Sequence, residues 1–435
     1  IGAVSLRLVL HLDSTDNQLT ATVDSPDQGA KGITVDSVIV QGDSLELKLL
    51  ALAAGFRAQY FADGDSISGM WAQGGMDLPL QLTRAIGPVD LIRPQEPQPP
   101  YPYAVEDVTF RNDRDSITLA GTLTYPKTGA PFPAAVMITG SGPQNRDEEV
   151  FGHKPFKVIA DYLSRKGIAV LRFDDRGIGK STGNFATATS EDFAHDVEAA
   201  VAFLRGRDDI NHAKIGLIGH SEGGVIAPMV AAQDKKIAFV VLLAGTGVPG
   251  SDVLALQEKR IMEATGIDSA TVARDAAMSK QLLKIATSDK SPVDKRVALT
   301  DAMEMMRDTI PQDRWQQEGF TDVMISAKIE QLMSPWMQFF LKYDPAPALS
   351  KVKCPVLVLN GSNDLQVLPD QNLPAIEAAL KKGGNTSYKI VKLKGLNHLF
   401  QHSDTGSPTE YARIEETFAP EALDTLGNWL AGVVK

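Results

Sequence analysis

The chain has 435 residues, enough for two or three domains and a sizeable core. Its net charge of -11 argues against a nucleic-acid partner, which calls for a basic face, and no apolar run is long enough to span a membrane. The hydrophobic fraction of 43% and charged fraction of 22% are those of an ordinary soluble globular protein. The single cysteine, Cys354, excludes an intrachain disulfide, and its place at the start of an apolar strand predicts a buried, inert thiol. The first residue is Ile1 rather than methionine, which fits either a removed leader or a trimmed chain.

Residues 1–93 read as an all-β domain. Val4, Leu6, Leu8, Leu10 and Leu12 fall at every second position, the period of a half-buried strand. Leu45, Leu47 and Leu49 repeat the pattern, as do Phe56, Ala58 and Tyr60, and then Leu78, Leu80 and Leu82. Ser25-Pro26-Asp27-Gln28-Gly29, Gln41-Gly42-Asp43-Ser44 and Asp63-Gly64-Asp65 are turn chemistry between them. Such strands predict a small sandwich or open barrel with no catalytic constellation, a structural or accessory role, and His11 on its surface. A carbohydrate- or partner-binding role would need an exposed aromatic strip; Trp71 and Tyr60 alone supply little. Residues 94–103 carry five prolines and read as a semi-rigid polyproline spacer at the domain boundary.

From residue 104 the rhythm changes. Residues 105–110 and 117–125 predict an antiparallel pair, and the strands 134–139, 168–173 and 237–243 alternate with the helices 156–166 and 192–204. This alternation predicts a mostly parallel sheet covered by helices on both faces. After residue 249 the strands stop for about a hundred residues, far more than a crossover requires. Residues 250–345, rich in helix formers and methionine, read as a helical cap over the carboxyl edge of the sheet. Met333, Trp336, Phe339 and Phe340 are its candidates for lining a substrate pocket. The core resumes over 346–435 with strands at 355–359 and 388–393 and a last helix over 421–434.

The chemistry centres on Gly219-His220-Ser221-Glu222-Gly223, between an apolar strand and a small-residue helix over 225–232. This is a nucleophile elbow, a sharp turn that exposes the Ser221 hydroxyl, with glycines where side chains would collide. The Glu222 amide, at the helix start, can donate to a developing oxyanion. A serine hydroxyl needs a base, and the base needs a carboxylate to orient it. Downstream lie His398, directly after a strand, and His402, a loop histidine. Asp364, in Gly361-Ser362-Asn363-Asp364, projects from a strand end, with Asp370 and Asp344 as alternatives. The loop Gly140-Ser141-Gly142-Pro143 offers a second oxyanion donor, Ser141 first and Gly142 next.

The elbow, Phe173-Asp174-Asp175-Arg176-Gly177, Gly361-Ser362-Asn363-Asp364 and Gly395-Leu396-Asn397-His398 together resemble the α/β-hydrolase superfamily, nearest bacterial serine esterases and their peptidase-like relatives. The resemblance covers about residues 105–435. It implies an ester or amide hydrolase working through an acyl-enzyme, with no cofactor and no metal. Thr139 stands where many relatives carry histidine, a departure in the oxyanion loop. A β-rich front on such a hydrolase resembles exported bacterial proteins, so a periplasmic or secreted location is expected, a cytoplasmic one being the alternative.

Other signals do not lead to chemistry. Gly179-Lys180-Ser181 lacks the upstream glycine of a phosphate loop, since Asp174 stands there. Leu399 stands where a His-Glu-x-x-His zinc site needs glutamate. His195-Asp196 reads as helix surface, Asp147-Glu148-Glu149 as a solvated run able to bind an amine, and Asp175 and Arg176 as makers of local hydrogen bonds. The leading expectation is an esterase acting on small-molecule esters of small or medium acyl chains. A peptidase or amidase, an acyltransferase and a binding protein with an inactive triad are the alternatives. The residues do not reveal the oligomeric state.

Overall fold

Alternating apolar residues build the front of the chain. A computed structural model describes residues 7–15, 18–25, 30–60, 65–73, 76–85, 93–315 and 319–435. Val4, Leu6 and parts of two expected turns lie outside these residues. β1 (Val9–Thr15), β2 (Gln18–Ser25) and β3 (Ala30–Thr34) form one antiparallel sheet. β4 (Ser37–Gln41), β5 (Ser44–Leu49), β6 (Ala54–Tyr60), β7 (Ser66–Gln73) and β8 (Met76–Thr83) form an antiparallel meander. Ala21 and Val23 of the first sheet share a core with Leu45, Leu47, Leu49, Phe56, Ala58 and Trp71 of the second. Tyr60 and Leu78, expected to face inward, are exposed. His11 lies at the surface, bonded to Asp24.

The proline-rich stretch is not a spacer. Arg93 donates to the carbonyls of Phe151, Ala412 and Ile414, and Gln95 accepts from the amides of Thr417 and Phe418. Glu96 pairs with Lys154 and Lys157, and Tyr103 donates to Asp161. Proline removes amide donors from this stretch, so its side chains make the attachments, and they strap it onto the core.

The core begins with β9 (Ala104–Asn112), β10 (Ile117–Tyr125) and β11 (Phe132–Ile138). There follow α1 (Pro155–Arg165), β12 (Ala169–Phe173), α2 (Ser190–Arg205), β13 (Ile210–His220), α3 (Gly223–Gln233) and β14 (Val240–Leu243). Among the described residues five α-helices come next: α4 (Gly250–Ala264), α5 (Ser269–Thr287), α6 (Pro292–Arg307), α7 (Asp322–Met333) and α8 (Pro335–Lys342). The chain closes with α9 (Ala346–Leu349), β15 (Val356–Gly361), α10 (Pro369–Lys382), β16 (Tyr388–Leu393) and α11 (Pro420–Val433).

The eight strands from β9 onward form one sheet in the order β16-β15-β14-β13-β11-β12-β10-β9. β9 and β10 run antiparallel to their neighbours, and the other strand pairs are parallel. This is the α/β-hydrolase architecture. β12, β14 and β15 are buried along their whole length, which is why they read as continuous apolar runs without alternation. α2, α3 and α10 cover one face of the sheet, α1 and α11 the other. Edge strand β16 keeps Lys389 and Lys392 in water.

The helices between β14 and β15 have a core of their own, including Leu282, Leu299, Phe320, Ile325, Leu332 and Leu341. Met303 and Met337 belong to it, and Met278, Met306 and Met333 pack against it. Most of the methionines that mark this insertion therefore serve its internal packing. Cys354 is half-buried against the core, and burial pushes its thiol up to about 11.

Candidate active site

β13 ends at His220, and Ser221 takes φ 53°, a left-handed conformation that costs a non-glycine residue strain. Glycine holds the turn tight: a Cβ on Gly219 would lie 2.0 Å from the Gly223 carbonyl oxygen, and one on Gly223 2.2 Å from that of Ile138. The Ser221 amide donates to the Leu243 carbonyl at 2.9 Å, so strand β14 fixes the turn from the side.

Asp364 follows β15 and is buried. Its Oδ1 accepts the amides of Gln366 and Val367, both at 2.8 Å, while its Oδ2 accepts from His398 Nδ1 at 2.8 Å. An ionised carboxylate can only accept, so the proton sits on Nδ1 and Nε2 is left as the basic nitrogen. The loop that carries His398 is built by Asn397, whose side-chain oxygen accepts the amides of Leu399 and Gln401. Among the described residues no hydrogen bond joins Ser221 Oγ to His398; such bonds are often loose until substrate tightens them. The ring of His220, the residue before Ser221, lies 4.8 Å from that of His398.

The loop after β11 packs against the elbow: a Cβ on Gly140 would come within 3.2 Å of Ser221 Cβ. The Gly140 amide is taken by Glu148 Oε1 at 2.6 Å, whereas the amides of Ser141, Gly142 and Glu222 donate to no group among the described residues. Thr139, the departure from the superfamily pattern, donates its hydroxyl to Asp175 at 2.7 Å, and Asp175 also accepts the Gln144 amide at 2.9 Å. Both ends of the loop thus hang on one buried carboxyl. Burial pushes Asp175 up to about 8, with Glu222 and Glu148 adding to the shift.

Several expectations are corrected here. Glu148 is not solvated: it is buried, with φ 50°, and its carboxylate meets Gly140 and His220. Asp147 pairs with Arg172, and of the run only Glu149 is exposed. Asp196 is not helix surface but buried, where it accepts from Arg176 and Asn112. Arg176 thus ties the post-β12 loop to α2 rather than bonding locally, and Asp174 holds Arg146.

The alternatives for the acid and base lie elsewhere. Asp370 pairs with Lys392 at the surface, Asp344 caps the Ala346 amide, and the exposed His402 pairs with Glu416 and Glu421. Of the four pocket candidates, Trp336 reaches the site: its Nε1 donates to Glu222 Oε1 at 2.8 Å, and the same oxygen accepts from Ser190 Oγ at 2.5 Å. Burial raises the Glu222 carboxyl above its usual range. Phe340 stacks on Trp336 at 5.0 Å, Phe339 stacks on Tyr343 at 5.3 Å, and Met333 packs within the insertion.

Residues 115–403 match the X-Pro dipeptidyl-peptidase family, S15. The chain belongs to this family. It is also 27% identical over 316 residues to Esterase EstD of Thermotoga maritima, across 72% of this chain and 65% of that esterase, slightly less than two thirds of its length. An uncharacterized protein of Pseudomonas aeruginosa is 31% identical over 175 residues, 39% of this chain and 42% of the relative. Among solved structures, an α/β hydrolase from Penicillium covers 76% of this chain and 98% of its own, with 18% identity and a TM-score of 0.46. Est1E from Butyrivibrio proteoclasticus, bound to ferulic acid, covers 75% of this chain and 99% of its own, with 17% identity and a TM-score of 0.43.

Three residues of this S15 member's site escape the sequence reading: His220, Glu148 and Asp175. His220 lies inside the elbow motif, where the serine draws attention; Glu148 sits in an acidic run that reads as solvated, and Asp175 in a stretch that reads as making local hydrogen bonds.

Proposed function

We propose that this S15-family chain is a serine hydrolase that cleaves carboxylic esters of small or medium acyl chains. The observation that carries the reading is the 2.8 Å bond from His398 to the buried Asp364, in a chain whose Ser221 is left-handed at the end of β13. Ser221 Oγ attacks the carbonyl carbon as His398 Nε2 takes its proton, and Asp364 stabilises the imidazolium. The negative charge that develops on the carbonyl oxygen meets the open amides of Glu222 and Ser141, with Gly142 beside them. His398 returns the proton to the leaving alcohol, and water then releases the acid by the same path. The resemblance to Esterase EstD of Thermotoga maritima supports the ester preference.

A chromogenic ester assay tests the reading. Ser221→Ala should lose on the order of 10⁴- to 10⁶-fold in turnover, and Asp364→Asn, which presents the wrong tautomer, about 10⁴-fold. Full activity in Ser221→Ala would refute it. Rapid labelling by a fluorophosphonate separates an activated serine from a binding protein with an inactive triad. The family match favours a second reading, peptide or amide hydrolysis, and faster cleavage of aminoacyl anilides than of esters would select it. Transfer of the acyl group to an acceptor other than water would select an acyltransferase.

The helices of residues 250–345 act as a cap in this proposal. The Trp336–Glu222 bond supports it, since it ties α8 to the residue after the nucleophile, and Trp336 with Phe340 would line the acyl pocket. The β-rich front of residues 1–93 would be an accessory domain of a bacterial enzyme exported to the periplasm or the medium. Cell fractionation tests that location.

A further inference from the structure

Beside the proposed triad lies a second, fully enclosed histidine–carboxylate pair. His220 Nδ1 meets Glu148 Oε1 at 2.9 Å, and His220 Nε2 donates to the main-chain carbonyl of His398 at 3.0 Å. Glu148 Oε1 also accepts the Gly140 amide at 2.6 Å. Glu148 and His220 are 4% and 6% exposed, so water does not compete for these bonds. One imidazole and one carboxylate thus join three segments that must keep register: the oxyanion loop through Gly140, the nucleophile turn through the residue before Ser221, and the base loop through His398. Glu148 adopts a left-handed conformation, φ 50°, to turn its carboxylate inward.

Resting on the hydrolase reading, we propose that His220 is a positioning residue for the reaction: gripped by Glu148, it holds the His398 main chain so that the base faces Ser221. The bond to His398 is the working contact, and the bond to Glu148 is its anchor. Nε2 faces a carbonyl, which can only accept, so it carries a hydrogen; with Glu148 ionised, Nδ1 carries one too. Burial opposes that charge, yet the Glu148 carboxylate holds His220 above the usual histidine range. The ionisable groups facing His220 are Glu148 before α1, Asp364 after β15 and His398 after β16.

Three variants separate the contacts. The side-chain nitrogen of His220→Gln can replace Nε2 and keep the bond to His398, that of His220→Asn can replace Nδ1 and keep only the bond to Glu148, and His220→Ala keeps neither. Each is followed by the rate of fluorophosphonate labelling, by kcat and KM on a chromogenic ester across pH, and by thermal melting. His220→Asn should lose about 10²-fold in kcat, the scale of a base displaced by an ångström, while KM changes little. His220→Gln should lose less. A loss confined to kcat and partly restored in His220→Gln is a split that a packing role alone would not give. Equal losses in His220→Asn and His220→Gln overturn the proposal even if His220→Ala does not fold. A wild-type chain that takes no fluorophosphonate overturns the hydrolase reading and this one with it, whereas a labelled wild type with equal variants overturns this one alone.

Discussion

A methyl group on Gly361 would sit 2.0 Å from the carbonyl oxygen of Leu396, so the loop carrying Asp364 and the loop carrying His398 touch through bare backbone. Gly361→Ala must force them apart. The expected result is a folded protein that labels slowly with fluorophosphonate, because the Asp364–His398 bond lengthens while the elbow stays intact. Asp175 gives a pH signature at the same scale. Its carboxyl titrates at about 8 in the fold against 3.8 as a free side chain. From pH 4 to 8 the unfolded chain gives up this proton and the folded chain keeps it, so Asp175 makes stability fall as pH rises. Asp175→Asn removes this titration, and its side-chain oxygen can still accept from Thr139 or Gln144. The stability gained by Asp175→Asn over wild type should therefore grow between pH 4 and 8 in denaturant titrations, and a constant difference would refute the assignment. The Asp364–His398 pair was legible because each residue follows a strand that the apolar pattern reveals. Glu148 and Asp175 were not, since what buries them arrives from distant segments: His220 stands 72 positions from Glu148, and Thr139 36 from Asp175.

Elements meet at this site through single side chains. Helix α8 reaches the core through the indole of Trp336, and Glu222 Oε1 divides its acceptance between that helix and Ser190 at the start of α2. Trp336→Phe keeps an aromatic ring but withdraws one donor from a buried carboxyl, a loss on the order of 1–3 kcal/mol. A ratio of kcat/KM for long over short acyl esters that shifts several-fold in Trp336→Phe would fit a helix that borders the acyl pocket; an unchanged ratio would remove α8 from that role. The helical nature of the insertion was readable from composition. Its attachment was not, because the contact spans 114 positions and depends on one ring nitrogen. The proline-rich stretch teaches the same lesson. Its composition predicts an extended chain, whereas residues 94–95 form a turn and Arg93 reaches carbonyls 58 to 321 positions away, which no local pattern encodes. Arg93→Ala should lower stability by on the order of 1–3 kcal/mol, the range for hydrogen bonds to a charged group, as read by chemical denaturation.

At the scale of the molecule, the strap assigns its residues to the core: a chain cut before Arg93 should melt higher than one cut before Ala104. The strap also meets an acid-sensitive knot under the base loop. His153 is buried and bonds Gln401, Thr417 and the Tyr411 carbonyl, while Gln401 bonds Asn397 beside His398. Burial and the neighbouring Arg93 depress His153 to about 4, from 6.5 in the open chain. Between those values the unfolded chain binds a proton that the fold refuses, so this contribution declines on acidification. The stability gap between wild type and His153→Gln should narrow from pH 7 to pH 4.5. Edge strand β16 carries a consequence for the molecule in company. Its open hydrogen-bonding rim is studded with the ammonium groups of Lys389 and Lys392, which an incoming strand would have to strip of water. Crowded copies are thereby kept from zipping rim to rim into a longer ribbon, and trading both lysines for valine should turn clear concentrated solutions cloudy.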